Sequence, residues 1–464
     1  MYIQNVAAAR NTGLTRRKAL HMTLGALSGG GTLLLTACQP AKPQQEGAQP
    51  GGVKSATVQF FARGDDAIFK VFRDLRDSFA AQHPQIKVEI DEVPGDFYQK
   101  LQLQLSAGTP PDAMFECDCT LGTSVRNKIP EPLDDYMKRD RRFKKDDYWD
   151  IAWYASTYGG KIYGLPYDGG SVALFYNKDL FKTAGVPDLD PKNPLTFDEF
   201  LQLARKLTVD DGGKRPGESG FDRRRIVQFG IDPARGLFQA YIFAAGGEVI
   251  GSDGSVPIDE PAAVDGLQWL ADLGARHYVA PSPEVVQTAP ISFATGNVAM
   301  QYAGVWNMVR YRQNKFAWDV APFPKYKVKT SLGWYSPLSI LASSKVKDAA
   351  WEWILFCCSE PGQRIVSGLG QAVPTVKSLA RTEVFLNPNV PPAHKEVFLD
   401  EMDPKILRTP GDRFGSYFGG YVREFRQIFN PIFDPVWLGQ KTALQAAKEA
   451  RPKLERLLKT GEVT

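Results

Sequence analysis

From residue 57 the chain alternates between two hydrophobic periods. Residues 57–61 are a short apolar run of strand length. Ile68, Phe72, Leu75 and Phe79 then recur every three or four positions, which predicts one buried face of a helix closed by His83-Pro84. Ile86, Val88 and Ile90 alternate as in a half-buried strand, and Phe97, Leu101 and Leu105 return to helical spacing until Gly108-Thr109-Pro110-Pro111. Residues 113–115 read as the next strand. Strand and helix in alternation predict an α/β sheet layer, in which ligands sit outside the carboxyl ends of the strands. The second half repeats this alternation. There Val264, Leu267 and Ala271 share a helical face starting near Pro261, and residues 298–302 read as a strand. The stretch 210–225 reads as a surface insertion, and no short-period repeat is visible.

The first 37 residues follow another logic. Thr15-Arg16-Arg17-Lys18-Ala19-Leu20 precedes a weakly apolar, uncharged run interrupted by Gly25, Gly29, Gly30 and Gly31. Paired arginines before such a stretch resemble a twin-arginine export signal, and the run is too short and glycine-rich to span a bilayer permanently. It ends in Leu35-Thr36-Ala37-Cys38, which resembles a bacterial lipobox with Cys38 as the lipidated residue. The plainer alternative is an ordinary signal peptide with a chance cysteine. Gln39 to Gly52 has no large apolar side chain, so it is expected to be a solvated tether, able to hold the body up to ~50 Å from a membrane.

Charge follows from this division. The formal charge of +4 comes from 56 basic and 52 acidic residues, and four of the basic ones (Arg10, Arg16, Arg17, Lys18) lie in the leader. The remaining body is neutral, which argues against nucleic-acid binding. The clusters at 139–145 and 223–225 are flanked by Asp and read as solvated surface. Hydrophobic content of 43% is that of a packed protein, and 464 residues suit two domains rather than one core.

Five segments carry a family resemblance. They are Gly108-Thr109-Pro110-Pro111-Asp112; Gly160 to Asp168 running into Leu174-Phe175-Tyr176-Asn177-Lys178-Asp179; Pro194-Leu195-Thr196-Phe197-Asp198-Glu199; Phe293 to Met300 leading to Gly304-Val305-Trp306; and Ser343-Ser344-Lys345 before Ala349-Ala350-Trp351-Glu352. Together, in this order, they resemble the extracellular solute-binding proteins, family 1, of ABC importers, of the maltose-binding and glycerol-phosphate-binding type. The third segment departs from the family by placing Phe197 where a Trp is usual. The resemblance implies an α/β, two-lobed periplasmic-binding-protein fold, with crossover strands around a ligand cleft. By it, residues 1–37 are the signal peptide and 38–54 the lipidated cysteine and tether. Lobe one is 55–169 plus 337–400, and lobe two is 170–336 plus 401–464. Crossings are expected near 169–172, 333–338 and 395–405, and Gly169-Gly170 suits a hinge.

The function so implied is capture of a carbohydrate, an oligosaccharide or polyol, by a monomer anchored outside the cytoplasmic membrane and serving ABC permease subunits. No cofactor, metal or catalytic residue is expected. A sugar presents hydroxyls beside apolar C–H faces, so its site needs aromatic platforms and planar polar groups. Trp306 is the first platform candidate, at the Gly-x-Trp position; its alternative is a core residue. Trp334 and Tyr335 lie at the second crossing, Tyr167 and Asp168 at the first. Glu116 and Asp118 follow one lobe-one strand and Arg63 another, and Arg413 precedes the C-terminal helical region. Trp149, Trp153, Trp351 and Trp353 read as packing residues.

Other chemistry has less support. The pairs Cys117/Cys119 and Cys357/Cys358 read as buried thiols, although a disulfide or metal site would need only that the two pairs meet. There is no His-Glu-x-x-His, phosphate loop or Gly-x-Ser-x-Gly elbow. Three alternatives remain open at this point: a glycerol-phosphate-type or other polar ligand, a secreted lipoprotein glycosidase, and a purely structural surface lipoprotein.

Overall fold

The computed structural model describes residues 54–116, 118–409 and 417–463. The signal segment, Cys38 and almost all of its tether, Cys117 and Arg413 lie outside the described residues. In chain order the strands are β1 (Ala56–Arg63), β2 (Ile86–Val93), β3 (Ala113–Phe115), β4 (Thr157–Tyr158), β5 (Lys161–Ile162) and β6 (Leu165–Asn177). They continue with β7 (Val209–Asp210), β8 (Ile226–Asp232), β9 (Val298–Gly304), β10 (Trp318–Ala321), β11 (Ser331–Ile340) and β12 (Leu407–Arg408).

The expected periodicities are those the fold buries. Helix Asp66–Gln82 starts where Asp65 accepts the Ile68 N–H at 3.3 Å, buries Ile68, Phe72, Leu75 and Phe79, and ends at His83. It returns the chain so that β1 and β2 pair in parallel, with Ala56 opposite Ile86 and Arg63 opposite Val93. β3 pairs in parallel on the other side of β1. The segment 210–225 is more firmly held than a surface insertion requires, because buried Asp210 accepts the N–H groups of Lys214 and Asp222, each at 2.8 Å. The basic clusters are paired with acids at the surface: Arg139 with Asp348, Arg142 with Asp140 and Glu352, Arg224 with Asp222, and Arg225 with Asp211.

The main sheet runs β2-β1-β3-β11-β6-β9-β8-β7, with β10 also on β6 and β12 also on β11. Its two central strands, β6 and β11, are antiparallel and each serves two cores. Leu165 and Tyr167 of β6 and Leu338 and Ile340 of β11 pack with Phe60, Phe72 and Trp353. Val172, Leu174 and Tyr176, with Leu332 and Trp334, pack instead with Tyr241, Tyr302 and Phe429. The molecule is thus the expected α/β, two-lobed architecture. The core changes where Asp168 lies opposite Ser336, Gly169 opposite Tyr335, and Gly170 opposite Trp334.

Two glycines are required at that junction. Gly169 and Gly170 have φ of 145° and 141°, which side-chain-bearing residues rarely adopt. A Cβ on Gly169 would stand 2.1 Å from the Trp334 carbonyl oxygen, and one on Gly170 would stand 2.7 Å from Val373. Behind the junction, Phe175, Val305, Tyr335, Phe398 and Met402 belong to a third apolar cluster. Ser171 donates to the Phe398 carbonyl at 2.7 Å, tying the segment around 395–405 to β6.

Four tryptophans pack as expected. Trp353 is fully buried, edge-on to Phe60 and Phe79. Trp351 donates to Asp140 at 2.8 Å and Trp149 to the Pro374 carbonyl at 2.8 Å, while Trp153 lies edge-on to Phe143 and Tyr148. Cys357 and Cys358 are free thiols inside the same core; the side chain of Cys119 is not among those described.

Candidate functional site

The carboxyl ends of β1 and β3 and the junction of β6 with β11 bring polar groups together. Arg63, the last residue of β1, donates to Ser336 Oγ at 2.9 Å and to the Glu116 carbonyl at 3.3 Å. Its guanidinium lies 4.1 Å from the centre of the Phe115 ring, so a cation is held over an aromatic face. Glu116, immediately after β3, is buried and accepts a 2.5 Å hydrogen bond from Thr120. Asp168 stands opposite Ser336 on the paired strand.

Asp168 is only 8% exposed. Burial pushes its carboxyl up to about 6, while Gln371, Arg63, Arg310 and the Gly169 N–H favour its charged form. Its Oδ1 has no hydrogen-bond partner among the described residues. Gln371 reaches this place from the turn after helix Glu360–Leu369, whose C-cap is Gly370 in the left-handed conformation. The Tyr167 hydroxyl donates to Gln371 Oε1 at 3.4 Å, and Gln371 Nε2 also lacks a partner.

An aromatic corner adjoins this floor. Trp334 and Ser336 are two residues apart on β11 and so share a face of the strand. The Trp334 ring meets Trp306 edge to face, with centroids 6.1 Å apart at 84°. Trp306 follows β9 on a short 3₁₀ turn, half-buried, with its indole folded over Gly304; a Cβ there would fall 2.2 Å from the ring. Ile151, Tyr154, Trp334 and Thr409 help to line a small pocket of about 10 Å³ at this end of β11.

The structure separates neighbours that the sequence left together. Tyr335 is buried, and its hydroxyl contacts Met402 Sδ at 3.5 Å within the third cluster, on the strand face opposite Trp334. Tyr167 is also a core residue, its ring stacked on Phe72 at 5.1 Å, although its hydroxyl touches Gln371. Asp118 opens helix Asp118–Arg126, and its side chain is not among those described. Ser336, Arg310 and Gln371 were not singled out from the sequence. Ser336 falls inside the expected second crossing and Arg310 four residues after Trp306, but nothing local marks Gln371.

Two contacts join segments that are far apart in the chain. Arg310 pairs with Asp65, the residue that caps the first helix. On the other side, Arg126 donates to the Gly420 carbonyl at 2.9 Å, lies 3.4 Å from Glu424 and covers the Tyr421 ring at 3.9 Å. There Gly122 meets Gly420 so closely that a Cβ on Gly122 would stand 2.4 Å from the Gly420 Cα.

Among the described residues no group of His, Cys, Asp and Glu is arranged to hold a metal ion, and no helix is long and apolar enough to cross a membrane. The chain is 25% identical to a putative binding protein of Brucella abortus over 73% of this chain and 80% of that one. It is 24% identical to the maltotriose-binding protein of Pyrococcus abyssi over 63% of this chain and 60% of that one. An ABC substrate-binding protein from Listeria monocytogenes, solved with cycloalternan, superposes with a TM-score of 0.75 at 22% identity, covering 88% of this chain and all of the other. The maltose-bound MalE3 of T. maritima superposes with a TM-score of 0.70 at 22% identity, covering 87% of this chain and 100% of that one. The bacterial extracellular solute-binding protein family matches residues 57–364, from β1 to the helix after Cys358 and through both lobes at the junction; to that family this chain belongs.

Proposed function

We propose that this protein captures a carbohydrate, an oligosaccharide or polyol, and delivers it to the permease of an ABC importer. The observation that carries the reading is the Trp306–Trp334 corner beside the floor of Asp168, Ser336 and Arg63. Indole faces stack on the C–H faces of a sugar ring, while carboxylate, hydroxyl and guanidinium groups pair with its hydroxyls. Trp306, Trp334, Asp168, Glu116 and Arg63 are the contacts we assign, with Arg413 and Asp118 retained from the sequence. Tyr167 and Tyr335 support the site from behind, since burial takes up their rings. Relatives named for maltotriose and galactooligosaccharide and neighbours solved with cycloalternan and maltose support a sugar.

A glycerol-phosphate ligand is the second reading. The chain is 23% identical to the sn-glycerol-3-phosphate-binding periplasmic protein of Shigella dysenteriae over 58% of this chain and 61% of that one, and Arg63 and Arg310 lie near Asp168. A phosphate there would meet a carboxylate that is ionised at neutral pH, and Arg310 is already paired with Asp65. The balance favours a neutral polyhydroxyl ligand.

The lobes, taken as 55–169 plus 337–400 and 170–336 plus 401–464, would turn about Gly169-Gly170 to close over it. Cys38 would carry the lipid, and the monomer would work outside the cytoplasmic membrane, returning its ligand chemically intact. A thermal-shift screen of sugars, polyols and glycerophosphodiesters tests the reading. A ligand at ~100 times its dissociation constant stabilises by about 2.7 kcal/mol. Shifts with oligosaccharides support it, and shifts confined to glycerophosphodiesters replace it with the second reading.

A further inference from the structure

Asp168 Oδ1 and Gln371 Nε2 are a buried acceptor and a buried donor, each without a hydrogen-bond partner among the described residues. Both residues are more than nine-tenths buried. The Gln371 side chain lies close enough to favour the Asp168 anion, yet neither Oδ1 nor Nε2 meets good hydrogen-bond geometry with a partner among the described residues. Its orientation is set from behind, because Tyr167 donates to Oε1 and leaves the amino end free. The backbone holds the pair in place: Gln371 N–H donates to the Val366 carbonyl at 3.0 Å, and Val373 N–H to the Gly169 carbonyl at 3.0 Å. A buried donor and acceptor left unsatisfied are each unfavourable unless a ligand group pairs with them. The group that pairs with both must accept from an amide N–H and donate to a carboxylate. A carbonyl or ether cannot donate, and an ammonium cannot accept, whereas a hydroxyl does both.

We propose that Asp168 and Gln371 act as one couple that reads a ligand hydroxyl at the floor of the cleft, with Gln371 a specificity-determining residue. This rests on the carbohydrate reading above and goes further by naming the pair that distinguishes a hydroxylated ligand from its deoxy or methoxy analogue. The groups around Asp168 are Arg63 from β1, Arg310 from the turn after β9, the Tyr167 phenol on its own strand and the Tyr335 phenol on β11. The two guanidinium groups keep the carboxyl ionised at neutral pH, and both phenols stay neutral because burial raises them well above their ordinary value.

The test is titration calorimetry with maltotriose and its monodeoxy and mono-O-methyl analogues, from pH 5 to 8. The proteins are the wild type, Gln371→Leu, Asp168→Asn and the double variant. The couple requires that each single change weaken maltotriose about 10- to 100-fold, and that the double variant lose less than the product of the two. One deoxy analogue should bind the wild type poorly and Gln371→Leu no worse than maltotriose does. Wild-type affinity should fall below pH 6, and Gln371→Leu should move that fall to higher pH, a change that lost packing would not produce. Strictly multiplicative losses, or a pH profile indifferent to Gln371, overturn the couple. If the wild type binds no sugar, the carbohydrate reading fails by itself. The carboxyl titration of Asp168 in ligand-free protein, followed by carbon NMR, then decides: a midpoint raised in Gln371→Leu supports the coupling, and an unchanged one removes it.

Discussion

The guanidinium of Arg310 is paired with the carboxylate of Asp65, so the residue that caps the first helix also holds the turn after Trp306. Both side chains are more than a third exposed, which limits such a pair to roughly 0.2–1 kcal/mol. Asp65→Asn removes the charge and keeps a competent cap, because Asn caps helices as well as Asp. The variant should melt close to wild type, while solution scattering shows a larger radius of gyration without ligand. An unchanged scattering curve would show that the pair does not bias closure.

Glu401 makes a pH prediction. It lies at 1% exposure beside Tyr302, and burial, opposed by the charge of Lys329 and by the Ser331 hydroxyl and Phe323 N–H, raises it to about 7. A carboxyl raised on folding binds its proton more tightly in the native state. Its contribution is therefore complete below about 4.5 and is lost as pH rises through about 7. The size is on the order of 3 kcal/mol. Glu401→Gln should flatten this part of the stability profile and raise the melting temperature at pH 8. Parallel wild-type and variant curves between pH 4 and 8 would contradict the assignment.

Gly170→Ala is expected to cost about 1–3 kcal/mol, because Cβ is disfavoured at φ of 141° and meets Val373 and Val305. Gly185→Ala is the control: it has positive φ but nothing within 4 Å, and should cost only about 1–2 kcal/mol. Urea midpoints compare the two, and equal losses would mean that the junction tolerates a side chain.

The first strands and helices were legible because each buries one face and exposes the other, which preserves periods of two and 3.6 in the residues. β6 gives no such signal: all of its residues from Leu165 to Asn177 are buried, so alternation vanishes. Its role as a crossing came from the family resemblance and the glycine pair. The choice between Trp334 and Tyr335 was not legible, since adjacent strand residues point to opposite faces and either order fits the pattern. Tyr167 reads as a site residue from its neighbours in sequence, yet Phe72 occupies its ring face. Gln371 reaches Tyr167 across 204 residues of chain, a contact that no local motif encodes.

Export can be tested apart from binding. Cys38→Ser should leave the precursor unprocessed or release the protein into the soluble fraction, as cell fractionation and mass spectrometry would show. A variant that stays membrane-bound at mature mass would remove the lipid anchor from the account.

The central claim is that a carbohydrate binds between the lobes against Trp306. Calorimetric titration of wild type and Trp306→Ala with the oligosaccharide giving the largest thermal shift, alongside the ligand-free melting temperature, tests it most directly. A buried aromatic anchor is worth on the order of 2 kcal/mol or more of binding. The account predicts one site per chain in the wild type, an affinity at least ~30-fold weaker in the variant, and a melting temperature close to wild type. Retained affinity, with a melt lowered by the roughly 3–5 kcal/mol of a lost core tryptophan, would contradict it.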